Sequence, residues 1–182
     1  MNIYEILFYG DSKYNKPMVC KLLKSRDDKI FKLGTEYCGE LIKLDIIQSG
    51  KEDDFLKNTN ELMIVNENVK NVLLKSGLAN IQLIPCQQGE KTYYIVNVLN
   101  MLRDCLNLSE SKVKRFPEDF PNERVRGKIG MIMKTVLNEN KVQGHIFRIE
   151  EYPNTIYVDD FFREIILQNN FTGLDFHKVN VI

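Results

Sequence analysis

The chain has no tryptophan, only two histidines and no net charge, since 25 basic residues stand against 25 acidic ones. That balance removes any whole-chain attraction to nucleic acid or to an anionic membrane surface. No apolar run approaches the ~18 residues of a membrane span. Met1-Asn-Ile-Tyr-Glu5 also lacks the basic start and apolar core of a secretory leader. A cytoplasmic protein without membrane contact is expected. The four cysteines, Cys20, Cys38, Cys86 and Cys105, lie 18, 48 and 19 positions apart. Without a C-x-x-C pair or a neighbouring histidine they form no zinc pattern, and free thiols in a reducing compartment are the simpler reading. Neither a metal nor a cofactor is expected.

Catalytic signatures are missing as well. The chain contains no G-x-S-x-G, G-x-G-x-x-G or Walker pattern, and Gly127-Lys-Ile-Gly130 is too short to cradle a phosphate. His145 and His177 have no sequence neighbours that make a ligand set or a triad, so structural or surface roles are expected for both. Asp53-Asp54 reads as a solvated turn and Asp159-Asp160 as a helix cap, which leaves little for general acid–base chemistry. Tyr93-Tyr94 would serve as a stacking platform in a nucleic-acid binder, but alternating Tyr and Ile in a strand more often build core and sheet surface.

What is present is a unit stated twice, 93 residues apart. Val65-Asn-Glu-Asn-Val69 returns as Val158-Asp-Asp-Phe-Phe162, Val72-Leu73 as Ile165-Ile166, and Gly77-Leu78 as Asn170-Phe171. Ile81-Gln-Leu83 then returns as Leu174-Asp-Phe176. Asn66 and Asp159 stand where a helix N-cap takes up unpaired backbone N–H groups, and Glu67 and Asp160 complement the helix dipole. Val69, Val72 and Leu73 recur at i, i+3, i+4, as do Phe162, Ile165 and Ile166, giving each helix one apolar stripe. Gly77 and Asn170 suit the left-handed residue that ends a helix. The pattern predicts strand, helix and strand over 62–86 and again over 155–179, with helices near 67–76 and 160–169. Phe147, Ile165, Ile166, Leu174 and Phe176 are expected in the core.

Elsewhere Ile3–Tyr9, Glu40–Gln48, Thr92–Val98 and Lys128–Leu137 read as strands, and Met18–Lys24 as a short helix. Gly10–Pro17 is turn-rich, and Leu99–Leu108 stays open between helix and strand. Ile146–Ile149 and Thr155–Val158 suggest a hairpin around Glu150–Asn154. Two prolines make Phe116–Pro121 irregular. Strands outnumber helices and mix with them, so the class is α+β with mixed or antiparallel sheets. A soft boundary near residue 60 would divide a strand-rich segment, 1–60, from a main domain, 61–182.

One charge asymmetry stands out. Residues 109–141 carry eight bases against five acids, whereas 142–182 carry three against six. Either the two stretches neutralise each other within the fold, or one face docks a charged protein.

The C-terminal part resembles immunity protein family eleven of bacterial polymorphic toxin systems. The resemblance is carried by Lys141-Val-Gln-Gly-His-Ile-Phe-Arg148, Ile156-Tyr-Val-Asp-Asp160 and Asn170-Phe-Thr-Gly-Leu-Asp-Phe176. With the Val65–Leu83 unit and the Tyr93–Val98 strand it extends over about 61–179. Every element in it is structural: Gly173 would meet a special backbone angle, and Phe147 and Phe176 would pack inside. The resemblance implies a non-enzymatic protein that binds a cognate toxin and blocks it in the producing cell. The partner-binding candidates are Lys112, Lys114, Arg115, Arg124 and Arg126 in the irregular basic segment, with Tyr152 in the hairpin turn. Two rivals stay open. A nucleic-acid-binding regulator would combine the basic segment with Tyr93 or Tyr94, although zero net charge disfavours it. A small hydrolase or transferase would need His145 or His177 in a cleft with a carboxylate.

Overall fold

Two nine-residue helices, α1 (Glu67–Lys75) and α2 (Asp160–Gln168), lie where the repeat places them. Helices this short are marginal in isolation, so caps and packing must hold them. The Asn66 side chain accepts the Val69 N–H at 3.0 Å, and the Asp159 carboxylate accepts the Phe162 N–H at 3.1 Å. Both stops are left-handed, with φ of +72° at Gly77 and +54° at Asn170. Val69 and Leu73 of α1, and Phe162 and Ile166 of α2, are buried in one shared core.

The computed structural model describes residues 1–8, 16–23 and 28–182. The expected Gly10–Pro17 turn, Tyr9 and Lys24 fall wholly or largely outside those residues. Before α1 run β1 (Ile3–Leu7), β2 (Val19–Leu22), β3 (Ile42–Gln48), β4 (Lys57–Asn58) and β5 (Ile64–Val65). Between the helices run β6 (Ile81–Gln88), β7 (Lys91–Val98), β8 (Met101–Leu102), β9 (Lys112–Arg115), β10 (Ile129–Lys134), β11 (Val136–Leu137), β12 (Ile146–Ile149) and β13 (Tyr157–Asp159). After α2 comes β14 (Asp175–Val181). The class is α+β. One sheet has the order β4-β2-β3-β6-β7-β5, a second β11-β14-β1-β13-β12-β8, and β9 and β10 form a separate antiparallel ribbon.

Each repeated unit is a split crossover. β5 and β6 both pair antiparallel with β7 and flank it, while β13 and β14 flank β1 in the same way. The two outer strands of a unit therefore run parallel, with a third strand between them. Alternate residues along the buried strands serve opposite faces, as the two-residue period requires. Val65, Val96, Ile146 and Val158 join the helical core, whereas Ile64, Ile95, Phe147 and Tyr157 face two outer clusters.

The structure corrects three local expectations and settles one segment, Leu99–Leu108, that stayed open. Met18–Lys24 does not begin a helix: Val19–Leu22 is a strand, in which exposed Lys21 separates buried Cys20 and Leu22 in strand alternation. Leu99–Leu108 contributes only the short strand Met101–Leu102. Ile165, Leu174 and Phe176 are half-buried against the core rather than within it, whereas Phe147 and Ile166 are fully buried. Asp53-Asp54 is not a solvated turn. Asp53 is buried beside Lys51, and Asp54 joins the two repeat units. One Asp54 carboxylate oxygen accepts the Asn66 amide at 2.7 Å, and the other accepts the Thr172 N–H at 2.9 Å and its hydroxyl at 3.1 Å. The cap of α1 is thereby tied to the turn that follows α2. Gly173, with φ of +90°, closes this joint, because a Cβ there would collide with the Phe55 carbonyl.

Two outcomes follow for stability, both readable by guanidinium titration. Asp54→Ala orphans the Asn66 amide and two Thr172 donors, and should lower unfolding free energy by about 2–3 kcal/mol. A loss under about 0.5 kcal/mol would remove the joint from the account. Phe147→Ala should cost about 3–5 kcal/mol as a fully buried ring, and Phe176→Ala about half as much because its ring keeps water on one side. Equal losses would contradict the difference in burial.

Candidate functional site

The basic segment folds into the ribbon. Val113, Ile129 and Ile132 turn inward onto the outer core of the second sheet, which leaves Lys112, Lys114, Met131 and Lys134 facing solvent. Ser111 ties the foot of the ribbon down, its hydroxyl donating to the Val136 carbonyl at 3.2 Å and accepting the Val136 N–H at 3.0 Å. At the other end the Phe116 ring lies across Gly130, where a Cβ would come within 3.0 Å, and packs at a tilt against Phe120 with ring centres 4.8 Å apart. The Pro-broken stretch 116–121 is thus irregular but anchored.

Against the ribbon stands the turn of the β12–β13 hairpin. It is held from inside by Arg148, whose Nη1 donates to the Pro153 carbonyl at 2.6 Å. Arg148 is 1% exposed, and its Nε has no hydrogen-bond partner. Burial pushes the guanidinium pKa down to about 10, partly opposed by the negative charge of Glu61. It remains a cation at neutral pH. Sequence reasoning missed this residue, although a charged side chain in the apolar run Ile-Phe-Arg-Ile was a visible signal.

Ribbon and turn enclose an open groove of about 670 Å³, lined by Leu108, Arg115, Arg126, Gly127, Lys128, Ile129 and Glu150–Asn154. Three of the six expected residues, Arg115, Arg126 and Tyr152, therefore meet in one place. Lys112 and Lys114 lie on the solvent face of the ribbon, and Arg124 is exposed on the short 3-10 turn Glu123–Val125. Arg115 Nη1 donates to the Gly127 carbonyl at 2.9 Å and Arg126 Nε to the Phe120 carbonyl at 2.7 Å. Arg126 Nη1 also reaches the Glu123 carboxylate at 3.4 Å, whereas Arg115 is oriented by its one bond and keeps further N–H groups for a carboxylate, a geometry that Arg serves better than Lys.

Among the described residues the two stretches form no direct ion pair with each other, although Glu150 and Glu151 share the groove with Arg115, Arg126 and Lys128. Asp159 caps α2, and Asp160 accepts the Asn2 N–H and the Tyr4 hydroxyl, each at 3.0 Å. Glu150 pairs with Arg103 at 2.7 Å, and Glu151 accepts the Leu106 N–H at 3.2 Å. Among the described residues, Lys112, Lys114, Arg115, Arg124, Lys128 and Lys134 enter no ion pair, and the segment's one ion pair is Arg126 with Glu123.

The residues of the rival readings lie elsewhere. Tyr93 is buried in the first sheet, with its hydroxyl donating to Glu52 at 2.8 Å, and Tyr94 lies under Lys70. Neither belongs to the ribbon. His145 Nδ1 is 2.7 Å from Asp159, whose other oxygen holds the helix cap, and its ring stacks on Phe161 at 4.3 Å. His177 Nδ1 is 2.9 Å from Glu5 and opens on a cleft of about 310 Å³ shared with Lys134, Thr135 and Lys178. Among the described residues no three His, Cys, Asp or Glu side chains converge as a metal set, and no helix is long and apolar enough to cross a membrane.

Fold and groove define a two-sheet α+β protein that presents a shallow basic site between a ribbon and a hairpin turn. Residues 81–181 match the model of an immunity protein family, Imm11, and the chain belongs to that family. No curated protein matches the chain. The matched stretch runs from β6 to β14 and contains the whole groove, but neither β1 nor α1.

The buried arginine gives a test of what holds the groove. Arg148→Met removes an incompletely paired buried cation, so thermodynamic stability should stay level or rise by about 1 kcal/mol. The Glu150–Asn154 turn should meanwhile exchange amide hydrogens faster, since Pro153 loses its donor. A strongly destabilised variant would show that Arg148 holds the fold and not only the turn.

Proposed function

We propose that this immunity protein binds a cognate bacterial polymorphic toxin stoichiometrically and blocks it by occlusion in the cytoplasm of the producing cell. The observation that carries the reading is a cluster of exposed bases on the ribbon and groove, of which Lys112, Lys114, Arg115, Arg124, Lys128 and Lys134 enter no ion pair among the described residues, inside the segment that matches Imm11. A tight inhibitor needs a complementary surface of about 800 Å² on each partner with a few aromatic or Arg anchors. Arg115, Arg126 and Tyr152 supply such anchors, and Lys112, Lys114 and Arg124 surround them. In this reading residues 61–182 form the immunity-protein-like unit, with 1–60 packed on it and contributing strands to both sheets. No proton transfer is required of the chain.

One observation favours a second reading. The His177–Glu5 pair opens on a polar cleft, which is the arrangement a small hydrolase or transferase would need. Co-expression with the toxin encoded by the neighbouring reading frame, together with a pull-down of the pair, separates the two. His145→Ala and His177→Ala should keep full protection. Arg124→Glu combined with Arg126→Glu should weaken binding and protection, because like charges then face each other across the interface at a cost of several kcal/mol. A folded His177→Ala variant that still binds the toxin but no longer protects would replace occlusion with enzymatic reversal.

A further inference from the structure

Resting on the toxin-binding reading, we propose that the solvent face of the β9–β10 ribbon is the electrostatic centre of the interface. It fits a toxin surface in which carboxylates surround an apolar spot. The register aligns Met131 with Lys114 and Lys134 with Lys112, and Met133 follows at an irregularity between them. Met131 and Met133 are 53% and 63% exposed. Two adjacent, unbranched, polarisable side chains beside three lysines suit an apolar contact that adapts to its partner.

The Lys112–Lys134 alignment is the more telling feature. Like charges directly opposite each other across two strands destabilise a sheet. Among the described residues no acid pairs with either lysine, so the free protein keeps this repulsion. Glu5 and Glu110 line clefts with Lys134, but Glu5 is held by His177 and, among the described residues, neither forms an ion pair with that lysine. An anionic partner would relieve the repulsion on binding.

Area argues for a centre rather than a whole interface. Six residues of strand, at about 3.4 Å each and two strands wide, present roughly 200 Å². That is about a quarter of what a specific complex buries per partner. The adjoining groove, which shares the ribbon residues Arg115 and Ile129, continues the surface. A face with methionines and no aromatic ring favours a protein over single-stranded nucleic acid, which would call for stacking side chains.

The probe is the inactivated toxin domain encoded by the neighbouring reading frame, bound to the full chain and measured by interferometry at low and high salt. Lys112→Glu with Lys114→Glu should weaken binding about 100-fold, mostly through slower association, and should flatten the salt dependence. Met131→Ser with Met133→Ser should speed dissociation about tenfold at unchanged association. Lys134→Glu alone should raise Tm by about 1–3 °C while weakening binding about tenfold, an opposition that a merely structural lysine would not produce. Variants that all bind within about twofold of the wild type would overturn the proposal and leave toxin binding itself standing. Retention of the wild type on duplex DNA or RNA at physiological salt, lost in the lysine variants while toxin binding persists, would overturn it in favour of nucleic acid. Failure of the wild-type chain to bind the toxin would overturn the parent reading and this one with it.

Discussion

The second sheet depends on a strand from the far end of the chain. β13 and β14 run parallel but do not touch, because α2 crosses between them over the width of one intervening strand. Strands two places apart are about 9.6 Å from each other, close to the diameter of a helix with its side chains. A crossover helix can therefore lie over the gap, but the gap must be filled. β1 fills it, pairing with β13 on one side and β14 on the other. Without Ile3–Leu7, β14 and β11 would be separated from β13, β12 and β8. The first unit meets the same demand locally, since β7 follows β6 through a tight hairpin.

This difference explains what could be read in the sequence. Caps, stripes and stops are properties of a few adjacent residues, and Asn66, Asp159, Gly77 and Asn170 behave as their types dictate. The strand that fills the second crossover is a long-range choice with no local signature. Asp54 belongs to the same category. Its type and neighbours suit a surface turn, and only the fold brings Thr172, 118 residues away, within reach. Phe176 misled differently. Alternation correctly identifies the face of β14 that it occupies, but not how far the neighbouring elements cover that face; Tyr4 meets its ring only edge-on.

The site was legible as a segment and not as a surface. An excess of bases over 109–141 is visible in composition, yet pairing decides which of them share a face. Register places Lys112 opposite Lys134, and the Gly130 gap filled by Phe116 anchors the irregular stretch to the ribbon. Arg148 was hidden for the opposite reason. It lies in a strand whose apolar neighbours are all buried, and its role is set by the carbonyl of Pro153, which only hairpin closure brings near.

A two-stranded ribbon alone is marginal in water, so its stiffness here must come from attachment. Val113, Ile129 and Ile132 pack on the second sheet, Ser111 fastens the foot, and the tilted Phe116–Phe120 pair closes the tip. The inner face of the ribbon is thus part of the core, and its outer face bears no structural duty. Residues on the outer face can change without disturbing packing, while the backbone that carries them stays fixed. Ordering a flexible segment at an interface subtracts from affinity, and a ribbon already ordered by its own core avoids that loss. In the proposed reading the arrangement separates the two requirements of a specific binder: rigidity comes from side chains turned inward, and recognition from charges turned out.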